Sequence, residues 1–423
     1  MVASMLPVKI GAVAQFLLKT VASGKVKNSD HVNVLSVETL SLHTFKLTTC
    51  SQGTKGGGNR FPGVVAAPFA MVKLGPDVES GRTDAYSGYL PSGNIWGFSI
   101  MHESGTGGAP KYGVVNQMPV LGNVSNPLAN FSQPRASPDE GSVGYYKSSL
   151  SNGITVELAA TEHAGLYSYS FPNSSTSSVV VDVSHVLPSF RGLGWEQHYS
   201  GGSFNMYQGE YTGSGIYNNG WNLSPDWTIY FCGRFNKTPI QSYTFITTGN
   251  TTIKNYNGSA VSGSQRLGGV FTFVGSSLNS RVGISFISTI KACANLDTEI
   301  AADTEMRTLV DKAIARWNYE ILNKIQVSST NQTDLQFLYS SLYGMLLIPS
   351  NRTGENPEWS GTEPYYDDMF TLWDTHRCQT SLFQVVQPTA YEEFIRSLID
   401  IWRNDGFLPD GRSSNFNGRV QGG

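Results

Sequence analysis

Along residues 60–290 apolar and polar positions alternate in short runs. In Gly153-Ile154-Thr155-Val156-Glu157-Leu158-Ala159, Ile154, Val156 and Leu158 fall on one side of an extended chain and Thr155 and Glu157 on the other. That is the period of a strand with one buried face. Similar runs cover 166–171, 178–183, 227–231, 242–247, 269–274 and 282–290, separated by turn-forming clusters such as Asn218-Asn219-Gly220 and Asn257-Gly258-Ser259. Many short strands with no helical period between them predict an antiparallel sandwich rather than a parallel α/β sheet. The period changes near residue 297. Ile300, Met306, Leu309, Val310, Ala313, Ile314, Trp317, Ile321 and Leu322 recur at spacings of three and four, which predicts a helix over 297–324. Further helices are predicted over 335–347, over 375–386 stopped by Pro388, and over 390–403 stopped by Gly406. Residues 411–423, rich in glycine and asparagine, carry neither period. Four helices make at most two hairpins, whose apolar faces need further cover. The pattern therefore predicts an N-terminal antiparallel β-sandwich followed by an incomplete helical domain.

Composition narrows the class. Lys and Arg total 29 against 32 Asp and Glu, a formal charge of -3 over 423 residues. A nucleic-acid-binding chain needs a basic surplus to neutralise phosphates, so that class is excluded. Charged residues make up 14% of the chain and aromatics 12%. With a usual charged share of roughly 25%, this composition buries a core and excludes a disordered chain. No run approaches the roughly 20 apolar residues of a membrane-spanning helix.

Cys50, Cys232, Cys293 and Cys378 stand far apart with no CxxC pair. This spacing excludes a zinc or redox motif and makes any disulfide a long-range staple whose pairing the sequence does not assign. Residues 1–24 hold Lys9, an apolar run over 10–18 broken by Gln15, and the small residues Val21, Ala22 and Ser23. This reads either as a secretory signal segment or as an ordinary N-terminal element. Asn-x-Ser/Thr acceptors at Asn123, Asn130, Asn173, Asn222, Asn236, Asn250, Asn257, Asn331 and Asn351 favour the first reading and a secreted protein.

Four clusters carry candidate chemistry. Gly56-Gly57-Gly58-Asn59-Arg60-Phe61-Pro62-Gly63 lacks the Gly-Lys-Ser/Thr that opens a helix in a phosphate loop and reads as a tight loop near a ligand or a plain turn. In the run 96–108, His102 stands close to Ser104, yet neither a nucleophile elbow nor a shared strand face supports hydrolase chemistry there. Polar groups lining a sugar pocket, with Trp96 available to stack, and a satisfied structural histidine both fit. Within 363–377, Asp374 or Thr375 either caps the helix that follows or, with Trp373, sets a carboxylate beside an aromatic platform suited to a sugar. The stretch 408–419 is a polar loop directly after a helix, where binding residues concentrate. Asp374 and Asp410 are tempting as the acid and base of a glycosidase, but spacing alone does not support that assignment.

Together these clusters resemble glycoside hydrolase family 92, the calcium-dependent exo-acting α-mannosidases. The strings that carry the resemblance are Phe-Pro-Gly with Pro-Phe-Ala-Met-Val-Lys-Leu-Gly-Pro-Asp (61–77), Gly-Phe-Ser-Ile-Met-His-Glu-Ser-Gly-Thr-Gly-Gly (97–108), Trp-Asp-Thr-His-Arg (373–377), and Leu-Pro-Asp through Gln-Gly-Gly (408–423). The resemblance covers roughly 56–423. It implies a β-sandwich at 25–290, a linker at 291–305 and, at 306–423, the first part of an (α/α)6 barrel. It further implies single-step inverting hydrolysis of terminal α-linked mannose on N-glycans or mannans, with bound Ca2+ holding and distorting the sugar. Carried over residue by residue, it gives sugar-pocket positions at Trp373, Asp374, Arg412, Asn415, Asn417 and Arg419, with His102 and Glu103 contributed by the sandwich. The family's acid, base and most calcium ligands lie beyond the motif on which this chain stops. No residue present takes a catalytic role, and the expectation is a truncated member with little hydrolysis. Residues 36–50 have no family counterpart, which suggests an incorrect gene model. The alternatives are a non-catalytic carbohydrate-binding module and an unstable truncated product.

Overall fold

The computed structural model describes residues 65–79, 87–103, 109–172, 176–189, 192, 194–248, 251–256, 261–263, 265–369 and 372–418, with backbone alone at 261–262 and 373–374. The expected signal segment, the glycine cluster 56–63, residues 36–50 and Arg419 lie outside the described residues.

The alternating runs become two stacked antiparallel sheets. One orders its strands Gly75–Glu79, Asn94–Ser99, Asn116–Leu121, Thr176–Asp182, Leu267–Val274, Gln241–Thr248 and Thr251–Asn255. The other runs Val261–Ser262, Gln197–Tyr207, Glu210–Asn219, Ser224–Phe235, Ser277–Ser285, Ala164–Ser170, Thr155–Ala160, Tyr145–Ser149 and Glu140–Ser142. Inward side chains of both sheets meet in one core, in which Tyr211 lies 5.5 Å from Phe271 and Phe204 stacks on Tyr211 at 5.6 Å. Val156 and Leu158 join it, as their alternation predicts. Strand Thr176–Asp182 is buried on both faces. Val179 and Val181 point into the core, while Val180 lies on the outer face with Tyr243, Phe245 and Val270 under a loop that brings Val124, Leu128 and Phe131.

The strand expected to reach residue 290 ends at Ser285, and Ser288 turns the chain by accepting the Lys291 N–H as the N-cap of α1 (Thr289–Glu299). The expected helix over 297–324 is instead α1, α2 (Met306–Glu320) and a 3-10 turn at Leu322–Lys324. Leu296, Ile300, Leu309 and Val310 still share one cluster against the nine-stranded sheet. Two helices pressing on one surface show the same spacing as one long helix. The stretch 291–305 expected as a linker is thus mostly α1, which lies so close on the sheet that a Cβ at Gly283 would sit 2.4 Å from the Ala292 carbonyl. A disulfide joins Cys232 of the sheet to Cys293 of α1 across 61 residues.

Helix α3 (Gln332–Met345), the short α4 (Leu372–Thr375), α5 (Gln379–Val386) and α6 (Pro388–Asp405) complete the helical region. Pro388 opens α6 as well as ending α5, since a first-turn proline has no N–H to lose, and Gly406 closes α6 at φ 84°. The helices bury Trp317, Tyr343, Phe383 and Phe394. Phe69, from the segment that enters the sandwich, stacks on Phe383 at 5.0 Å, and Trp317 Nε1 donates to the Ala66 carbonyl at 2.8 Å. The molecule is thus a mostly β N-terminal region followed by a helical region, and the two share a core.

Candidate functional site

Where the two regions meet, four short pieces of chain converge: the pairing of Met101–His102 with Tyr112–Val114, the turn around Trp221 and Asn222, the pairing of Ser350–Asn351 with Tyr366–Asp367, and the hairpin Arg412–Ser413/Phe416–Asn417. Around them the fold removes ionisable groups from water. Lys73, Glu103, Lys111, Arg352, Asp367, Asp368 and Arg412 are all at most 1% exposed.

The Tyr112 hydroxyl is the hub. It donates to Asp368 Oδ1 at 2.7 Å and accepts from Arg352 Nη2 at 2.7 Å and from the Ser414 N–H at 2.9 Å. Tyr112 has a φ of 67°, and Gln197 holds its backbone by bonding both its N–H and its carbonyl. Arg352 Nη2 also donates to Asp368 Oδ2 at 2.6 Å, and Lys73 Nζ reaches Ser350 Oγ, which in turn donates to Asp368. Burial alone would raise the Asp368 carboxyl, but the charges of Arg352 and Lys73 hold it below its usual range. Burial lowers Lys73 to about 8 and Lys111 to about 7. Burial, helped by the Asp368 charge, pushes Glu103 up to about 8. Glu103 Oε2 accepts from Trp221 Nε1 at 3.0 Å and Ser413 Oγ at 2.8 Å, while its Oε1 is buried with no hydrogen-bond partner among the described residues.

These contacts clamp the hairpin that follows α6. The Asn415 N–H donates to Asp367 Oδ2 at 2.7 Å, and Tyr365 donates to Asn415 Oδ1 at 2.9 Å. Arg412 bonds the Asn415 carbonyl, Asn417 Oδ1 and Asp405, and Asn222 Nδ2 donates to the Ser413 and Phe416 carbonyls. Beside Asn415 and Tyr365 a cleft of about 760 Å³ opens between the sandwich and the loop 354–361, edged by Trp227, Tyr230 and Trp359. Beside Glu103, Trp221 packs with Ala109, Ile348 and the half-buried Trp195.

The structure therefore brings Glu103, Arg412, Asn415 and Asn417 together. His102 lies just behind them, fully buried, with Nε2 2.6 Å from Asp77 Oδ1 and Nδ1 2.8 Å from the Lys73 carbonyl. Gly88 packs on its ring so closely that a Cβ there would lie 2.5 Å away. Trp373 and Asp374 sit in α4, whose Leu372 N–H donates to the Asp410 carbonyl, so α4 is tied to the loop that leads into the hairpin. Sequence reasoning passed over Lys73, Tyr112, Arg352, Asp367 and Asp368 as site residues. Their signal is weak: polar residues inside otherwise apolar strings such as Pro-Phe-Ala-Met-Val-Lys and Tyr-Tyr-Asp-Asp. Asn222, one of the nine glycosylation acceptors, is fully buried in this network.

The site is a buried, charge-paired junction between a sandwich and a helical region, with an aromatic-edged cleft beside it. Residues 50–285 match the glycosyl hydrolase family 92 N-terminal domain and residues 291–423 match the glycosyl hydrolase family 92 catalytic domain. The chain belongs to glycosyl hydrolase family 92. It is 28% identical over 369 residues to an uncharacterized secreted glycosidase of Arthroderma benhamiae, covering 77% of this chain and 44% of that protein. Its fold matches a family 92 α-mannosidase of Bacteroides thetaiotaomicron with a TM-score of 0.75 at 22% identity, over 93% of this chain and 53% of that one. A family 92 inverting mannosidase of the same organism gives 0.75 at 24% identity, over 95% and 52%. The chain spans about half the length of these relatives.

The family implies calcium, and the described junction residues do not fit it. A calcium site needs six to eight oxygens free to turn to the ion, whereas Asp367 and Asp368 face Arg352 and Arg412, and Glu103 is pushed towards its neutral form.

Proposed function

We propose that this polypeptide is part of an exo-acting α-mannosidase that removes terminal α-linked mannose from N-glycans or mannans with inversion. The observation that carries the reading is the hairpin Arg412–Asn417, clamped against Glu103, Trp221 and Tyr112 in a chain whose two regions both match family 92. In this reading Trp373, Asp374, Asn415, Arg419 and Glu103 are the sugar-pocket positions. Arg412, Asn417 and His102 fix the backbone that presents them. Residues 25–290 form the sandwich domain, 291–305 join the two regions, and 306–423 begin an (α/α)6 barrel. Inversion requires a carboxylic acid on one side of the glycosidic bond and a carboxylate activating water on the other. Asp367 and Asp368 are committed to Arg352 and Arg412, and Glu103 is bonded to Trp221 and Ser413, so the reading assigns neither role to them, and this chain alone releases little mannose. A second reading, sugar binding without turnover, draws on the same commitment. Secretion is supported by the Cys232–Cys293 disulfide, which suits an oxidising compartment, and by the exposed acceptors Asn123, Asn130, Asn236 and Asn331. Among the described residues no helix is long and apolar enough to cross a membrane.

The test is release of free mannose from α-linked mannobioses, with and without calcium, by this chain and by a version extended to the length of its relatives. Release by the extended version alone is the expected result. Release by neither, with calorimetric binding of mannose intact, moves the conclusion to the second reading.

A further inference from the structure

The outer face of the seven-stranded sheet carries another cleft, of about 410 Å³, between strands Asn94–Ser99, Asn116–Leu121 and Thr176–Asp182 and the loop 127–131. It shares no lining residue with the cleft at the junction. Trp96 forms part of its wall, and the Trp96 indole N–H is buried with no hydrogen-bond partner among the described residues. A buried donor left unpaired costs about 1–3 kcal/mol, so such a group in a native fold calls for a reason. His185 meets Trp96 edge to face at 4.9 Å. Its Nε2 lies 2.7 Å from Asp77 Oδ2, and Asp77 also receives Ser99 and Asn116 and is held ionised by its two histidines against the effect of burial. A carboxylate only accepts, so the Nε2 hydrogen of His185 is turned to Asp77. On the far side Arg266 pairs with Asp182 and donates from Nε to Ser184 Oγ at 3.0 Å, with its side chain 45% exposed. Phe131 and Met118 supply apolar surface.

We propose that this cleft is a secondary carbohydrate-binding site for a neutral hexopyranoside. The unpaired Trp96 N–H, the imidazole beside it, a half-exposed ion pair and an aromatic wall match the alternating hydroxyls and apolar face of a sugar. An anion is disfavoured, because Arg266 is already neutralised and Glu79 adds negative charge to the lining. The sugar comes from one of two sources: free glycan, or a glycan on Asn130, an exposed acceptor that lines this cleft.

Hydrogen exchange of the full chain from a bacterial host, which adds no glycans, is read with methyl α-mannoside and methyl α-glucoside. The expected result is added protection at 127–131 and 182–186, with affinity about tenfold weaker in Trp96→Phe, which keeps the ring and loses the N–H, and in the surface variant Arg266→Ala. Protein from a eukaryotic secretory host reads the other source: protection without added sugar that disappears in Asn130→Gln. Absence of protection from either source overturns the proposal, and so does protection that both Trp96→Phe and Arg266→Ala leave unchanged. The site does not depend on the mannosidase reading. Failure of mannose release by the extended version, with protection intact, removes that reading and leaves this one.

Discussion

The sandwich interior and the junction are buried to the same depth by opposite chemistry. Between the sheets, rings and branched chains such as Phe204, Tyr211, Ile229 and Phe271 leave water at roughly 25 cal/mol per Å², and the gain is spread over dozens of residues. At the junction Lys73, Arg352, Asp367 and Asp368 are fully buried, and removing such charges from water costs more than most pairs regain. A core held by quantity tolerates the trimming of one member. A network held by pairing does not, because deleting one partner strands the other.

Arg352→Met tests this difference most severely. It leaves Asp368 buried without its guanidinium and Asp367 with that of Arg412 alone, and a loss of about 3–5 kcal/mol is expected in denaturant unfolding. A loss under about 1 kcal/mol would mean that the junction is wet. Replacing Cys232 and Cys293 together by serine opens the tie between sheet and α1 and should cost about 2–4 kcal/mol, visible as a fall in Tm that reductant reproduces in the parent protein. Asn222→Ala removes the two bonds to the Ser413 and Phe416 carbonyls. About 1–3 kcal/mol is expected, with loss of amide protection concentrated at 412–417. On the core side, Ile229→Val should cost only about 0.5–1.5 kcal/mol. A pH titration sharpens the electrostatics. Burial raises Glu103 from 4.5 to about 8, so the folded state keeps a proton that the unfolded chain gives up. The resulting stability is complete below pH 4.5 and is lost as pH rises towards 8. Glu103→Gln should flatten the pH dependence of stability over that window. An unchanged slope would place the titration elsewhere.

The fold was far more legible than the site. Strand alternation around Ile154, Val156 and Leu158 survives folding because each sheet buries one face, and the α6 stop at Gly406 survives because glycine adopts φ 84° without strain. The break between α1 and α2 was not legible, since both helices press the same kind of stripe onto one sheet. At the site, the family strings pointed to Glu103, Arg412, Asn415 and Asn417, while the groups that hold them went unread. Lys73 meets Ser350 across 277 residues, Tyr112 meets Asp368 across 256, and Glu103 meets Ser413 across 310.

The sequence by itself determined the order of the β and helical regions, several of the strands and helices that build them, and the family. All of these rest on periods and strings within a few residues of one another. Only the tertiary structure decided that Cys232 pairs with Cys293, that Asn222 is an internal strut rather than a glycan acceptor, and that seven charged side chains at the junction lie out of water. Burial and charge pairing are set by groups hundreds of positions apart, and local spacing carries no record of which of them will meet.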